Sequence, residues 1–272
     1  MKQIAAWSLI APTVTLGLLS IAAAPTPQTK PDGAARSADS APPLSDTRLT
    51  VHTLLREDIF AGFLENDMKR LARGEKNIDR LMEMRPDQKG NLLAWKGGVV
   101  LFRAALANEE HKDREYRRLL KEAQDLLAKA GQAKSGNDGV LPITGGVGVI
   151  FADRLAESDR PAVWAMAFEC YQRLCKAQAS VIKVLPVHMR GEALAGLAKS
   201  AARTGHDKES AEAIDKMQQV MKDTPYESAV REWKEDPKTA AAKTEIACLS
   251  CHEAGRLNAR LAALNAKKPD QP

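Results

Sequence analysis

A chain of 272 residues with 40 Lys and Arg against 35 Asp and Glu carries a net charge of only +5, and its charged residues alternate along the sequence instead of clustering. That pattern describes a solvated surface and excludes a nucleic-acid footprint. Aromatic content of 4% with abundant Ala, Leu, Lys and Glu predicts an all-α protein with a substantial core.

In chain order, residues 1–24 combine Lys2, an apolar run from Ile4 to Ile21 and the small-residue tail Ala22-Ala23-Ala24. This is the layout of a secretory signal peptide, with cleavage expected after Ala22, and it predicts a periplasmic or otherwise exported protein. The run nearly spans a bilayer, so an uncleaved anchor is the alternative, although Pro12 and Gly17 weaken it as a membrane helix. Residues 25–46 are rich in Pro, Ala, Ser, Thr and Asp and predict an extended, disordered linker.

From residue 47 to 236 the apolar residues recur at helical spacing, as in Leu54, Leu55, Ile59 and Phe63. Breaks at Gly74, Pro86, Ser135 to Gly139, Pro161, Pro186, Gly205, Pro225 and Pro237 divide the chain into expected helices at 50–72, 75–85, 90–108, 111–131, 144–157, 160–184, 189–204, 207–222, 226–235 and 238–265. The result is an array of helical hairpins. Two stretches, Lys69 to Glu75 and Lys199 to Asp207, share a basic, alanine-bearing helix end followed by Gly. The segment bearing Leu197-Ala198, Thr204-Gly205, Ala211 and Pro225 resembles a tetratricopeptide repeat, which implies a scaffold for docking a partner. An irregular helical bundle is the alternative.

Minor motifs have structural explanations. Gly145-Gly146-Val147-Gly148 lacks the strand, the glycine order and the Lys-Ser/Thr ending of a phosphate loop, and predicts close helix packing. Cys170 and Cys175 are five apart on an expected helix, so they lie on different faces and read as buried apolar groups. His52, His111, His188 and His206 fall at helix ends or in polar stretches, where solvated or capping roles are commonest. No Ser/His/Asp or paired-carboxylate constellation stands out.

The segment 237–272 contains Cys248-Leu249-Ser250-Cys251-His252. In a C-x-x-C-H sequence the two thiols bond the porphyrin covalently and the adjacent imidazole coordinates the iron, so the five positions must be contiguous. A thioredoxin-type dithiol needs a βαβ context, and a zinc site needs a fourth ligand; the sequence supplies neither. The expected cofactor is therefore haem c, bound through Cys248 and Cys251 with His252 as the axial iron ligand. The sixth position goes to Met217 or Met221, four apart on one helical face, to water, or stays open.

A motif close to the C-terminus on the last expected helix, with no Met after His252, resembles class II cytochromes c, the family that includes cytochrome c prime; Glu253 stands where that family usually has a basic residue. The resemblance covers about residues 240–260 and implies covalent haem on a helical platform. Electron transfer to a redox partner protein follows as the expected function, with Arg256, Arg260, Lys267 and Lys268 steering a partner of acidic surface. The alternatives are a tetratricopeptide-like interaction scaffold with an unmodified motif, and a haem peroxidase or small-ligand sensor. The hairpin from Gly191 to Pro225 is expected to cover the haem-bearing helix.

Overall fold

A computed structural model of the protein describes residues 41–224, 226–236 and 255–266. Residues 1–24, most of the segment 25–46 and the Cys248 to His252 motif lie outside the described residues. Among those described there is no strand, and no helix is long and apolar enough to cross a membrane.

Ten α-helices are described: α1 Val51–Glu65, α2 Met68–Met84, α3 Lys89–Glu109, α4 Asp113–Gly131, α5 Val140–Phe151, α6 Arg160–Gln178, α7 Val187–Arg203, α8 Asp207–Val220, α9 Glu227–Glu235 and α10 Arg256–Ala266. α1 packs with α2, α3 with α4, α5 with α6 and α7 with α8, and each pair leans on the next. The expected all-α array of helical hairpins is the observed fold.

The first hairpin turns at Asn66 (φ 56°) and Asp67, whose carboxylate accepts from the Arg70 amide and caps α2. Gly74, expected to break the chain, instead sits inside α2. A Cβ there would come within 3.0 Å of Ile59 Cγ1, so this glycine serves helix contact and not a turn. Gly205, at φ +75°, does turn the chain between α7 and α8. The two stretches that look alike in sequence thus use their glycines differently.

α1 and α2 are locked by Asp58, only 2% exposed. The Arg73 guanidinium donates to both of its oxygens at 2.6 and 2.7 Å, and Arg70 Nε donates at 3.1 Å. Arg85, at the end of α2, donates to the carbonyls of Leu44, Asp46 and Leu49 at 2.7–2.9 Å, so residues from Leu44 onward are already held against the body.

Two cores result. The larger joins α1 to α6 and includes Trp95, Phe102, Phe151 and Tyr171. The smaller lies among α7, α8 and α9, and contains Leu194, Ile214, Met217, Met221 and Trp233. α10 departs from expectation in both extent and placement. Gly255, at φ +88°, adopts a backbone that an L residue resists, and the helix begins after it instead of running through from residue 238. α10 packs on α1: Leu257 is buried in the larger core with Leu261 and Leu264 against it, and the Leu257 amide donates to Glu57 Oε1 at 2.7 Å. The described part of the C-terminal helix therefore covers the flank of the first hairpin, not the hairpin from Gly191 onward. The physical reason is that α1 begins the array and offers an apolar side to a late element.

Asp58→Ala leaves two guanidinium groups facing a buried void and should lower unfolding free energy by about 3 kcal/mol. Urea denaturation of the variant measures it; a loss below about 1 kcal/mol would mean that the arginines find other partners.

Candidate functional site

A hollow of about 720 Å³ lies where the N-terminal ends of α1, α3, α5 and α7 converge. Ligand pockets typically occupy roughly 300–1,000 Å³. One side comes from α1 to α3: Val51, His52, Phe60 and Trp95 line it, with Arg85 and the Pro86–Gln88 turn at the edge. The opposite side comes from α5, α6 and α7, through Ile143, Val147, Leu174, Gln178 and His188.

Glycine contacts set this second side. Tyr171 of α6 is fully buried, and a Cβ at Gly196 of α7 would lie 2.2 Å from its Cζ, while one at Gly145 of α5 would lie 2.8 Å from its Cε2. The next glycine, Gly146, faces the hollow. Close helix packing, the expected role of the glycine cluster, is thus what it performs; Gly148 likewise admits Ala167. The floor is braced by Asn91, which donates to Asp138 Oδ1 at 2.6 Å and accepts from the Gly139 amide at 2.9 Å, tying the start of α3 to that of α5.

The hollow holds two imidazoles. His52, second residue of α1, is half-buried with its ring 5.2 Å from that of Trp95. Enclosure by protein pushes its basicity down to a pKa of about 4, helped by the charge of Arg56, by His188 when that ring is protonated and by Arg256, and opposed by Asp138. His188, in the first turn of α7, is shifted down for the same reasons, burial first and then Arg256 and Arg56. Neither ring makes a hydrogen bond with the described residues. Both are neutral at neutral pH and each has a ring nitrogen lone pair to offer.

Other polar groups here also lack partners. Trp95 Nε1 and Gln178 Oε1 are buried without a hydrogen bond among the described residues, as is Arg256 Nη1 at the start of α10. The charge of Arg256 acts on both histidines, so α10 begins beside the hollow. The rim carries exposed Met84 (50%) and Met189 (38%).

The residues singled out from sequence have separate fates. Cys248, Cys251 and His252 lie outside the described residues, as do Lys267 and Lys268. Met217 and Met221 are fully buried in the smaller core and do not line the hollow. Arg256 is half-buried and its charge acts on both histidines, whereas Arg260 is exposed. Cys170 and Cys175 are free thiols, enclosed enough for burial to raise their pKa values to about 11 and 12, which makes them inert. His206 stands at the N-cap position of α8 without a side-chain capping bond, its Nδ1 2.8 Å from Thr204 Oγ1 and its ring stacked on Phe168; His111 is an exposed turn residue. The signal sequence reasoning lacked was tertiary: His52 and His188 are far apart in the chain and share no local spacing. Among the described residues no three His, Cys, Asp or Glu side chains gather as a metal site.

No protein family, no curated protein and no solved structure matches the chain.

Because His52 titrates near 4 when folded and near 6.5 when unfolded, the unfolded chain binds the extra proton between those values. Stability of the cofactor-free chain should be full above pH 6.5 and fall as pH drops toward 4, by about 3 kcal/mol. His52→Gln should remove most of that slope. Denaturation midpoints across pH 4–8 check it, and a slope unchanged in the variant would assign it to other groups.

Proposed function

We propose that this chain is an exported monohaem c-type cytochrome-like protein, in which Cys248 and Cys251 form the covalent thioether bonds to haem c and His252 is the proximal ligand of its iron. The carrying observation is the hollow of about 720 Å³ at the place where α10 starts. Only three residues lie between His252 and Arg256, so the covalent chain keeps their Cα atoms within about 14 Å of each other.

The residues present suit such a group. A flat macrocycle that is apolar except for two carboxylates and a metal asks for apolar walls, positive charge and a neutral nitrogen donor. Val51, Phe60, Ile143 and Val147 are apolar wall, Arg56 is a cation in the hollow and Arg256 one beside it, and two imidazoles are held neutral. Trp95 Nε1 and Arg256 Nη1, without a hydrogen-bond partner among the described residues, are donors that a bound acceptor would satisfy.

When bound, haem supplies a one-electron ferric/ferrous couple. The protein's part is to exclude water, orient the macrocycle and present its edge. The exposed methionines Met84 and Met189 make the rim apolar, which suits transient docking of a redox partner, with Arg260 adding positive charge for an acidic surface. The helical-hairpin array is the rigid frame that fixes this rim.

Export of the chain in a host with c-type maturation should yield a coloured protein that keeps its haem mass after denaturation. Cys248→Ala or Cys251→Ala should leave one thioether, and the double variant none, as read by mass spectrometry. A colourless wild-type protein with two free thiols at these positions would instead support an interaction scaffold with an unmodified motif.

A further inference from the structure

We infer that the hollow is a non-covalent binding site for hydrophobic carboxylates with an aromatic body, which place the acid on the side formed by α1 and α3, beside which α10 begins. The inference goes beyond the haem reading. It uses the described residues alone and needs neither a metal nor a covalent bond, so it stands or falls apart from haem attachment.

The walls select the body of the ligand. On one side the rings of His52 and Trp95 lie 5.2 Å apart, and Phe60 meets Trp95 edge-on at 5.8 Å. On the other side Ile143, Val147 and Leu174 are aliphatic. A flat aromatic group between ring edges and methyl groups is buried on both of its faces.

The polar groups select the head. Trp95 is 1% exposed and lines the hollow, yet its Nε1 has no hydrogen-bond partner among the described residues, and the same holds for the buried Nη1 of Arg256. An indole N–H and a guanidinium N–H only donate, so what would satisfy them is an acceptor. Gln178 Oε1, a buried acceptor without a partner among the described residues, belongs to the opposite side and would repel an acid. That fixes the orientation.

The sign of the field agrees with an anion. Two neutral imidazoles serve as test groups: at His52, after burial, the charges of Arg56 and Arg256 outweigh that of Asp138, and at His188 burial is followed by Arg256 and Arg56. The acids of the lining are already engaged, Asp138 by Asn91 at 2.6 Å and Asp87 by Gln88 at 3.0 Å. Arg85 is likewise committed, to three backbone carbonyls. Arg256 keeps an open donor, and a charge-assisted bond to a carboxylate is the strongest use of it.

Calorimetric titration of the full chain, free of covalent haem, with naphthoate and with its neutral isostere naphthamide tests this. One naphthoate should bind per chain, roughly tenfold or more tighter than the amide. Arg256→Gln should bring the two affinities to within about twofold while leaving that of naphthamide unchanged, because only the carboxylate draws on the charge. Nuclear Overhauser contacts in the wild type give the location without any variant, and should join the naphthyl protons to the methyl groups of Val51 and Val147. The same titration on the haem-loaded protein separates two sources of the carboxylate. Exclusion of naphthoate would assign the site to the carboxylates of the protein's own haem, and undiminished binding would assign it to a free acid. Absence of naphthoate binding, equal affinity for naphthamide, a preference that survives in Arg256→Gln, or contacts to Ile214 of the smaller core instead would each overturn the inference.

Discussion

The contact of Tyr171 with the glycines of two neighbouring helices is the constraint on which the architecture of the site depends. Its ring occupies space that any side chain at Gly145 or Gly196 would need, so α5, α6 and α7 meet at a distance only glycine permits. The same short segment of α5 then presents Gly146 and Val147 to the hollow. An added methyl group at Gly196 would force the ring aside or push α7 away, and with it His188. The opposite side is set by a different device, the Asp58 to Arg70 and Arg73 cluster that joins α1 to α2 and the Arg85 clamp on the preceding segment. One side is fitted by shape and the other by charge, and the hollow is what remains between them.

α10 ties the C-terminal segment to this arrangement. The bond from the Leu257 amide to Glu57 satisfies a helix-start donor and anchors α10 one turn along α1 from His52. The Cys248 to His252 motif thus lies only three residues before a helix fixed beside the hollow. In this account the hairpin array is a frame around a redox group, and partner binding is a property of the rim. Binding and electron transfer would then share one surface.

The class of the fold was legible because helix-forming composition, apolar spacing and the breaks at Gly139, Pro161, Pro186 and Gly205 agree with one another. Boundaries failed where one residue type has two uses. Gly74 fits a turn as well as a helix crossing, and only the position of Ile59 decides between them; Gly255 passes as helix interior until its φ of +88° is known. The turn at Asn66 left no glycine or proline to mark it. The Cys248 to His252 motif stands out in the sequence because its pattern is local, and it lies outside the described residues. The imidazoles of the hollow do not stand out, since His52 and His188 meet only through the packing of α1 against later helices, and a histidine near a helix start is unremarkable in one dimension.

The central claim is that the hollow among α1, α3, α5 and α7 houses the haem. Methyl resonances of the haem-loaded protein, compared between its oxidised and reduced states, test this by location, because the paramagnetic iron perturbs only nearby nuclei. The account predicts that Val51, Ile143 and Val147 shift on reduction, while Ile214, Val220 and Val230 of the smaller core do not. Shifts concentrated in the smaller core, with the residues of the hollow unmoved, would contradict it.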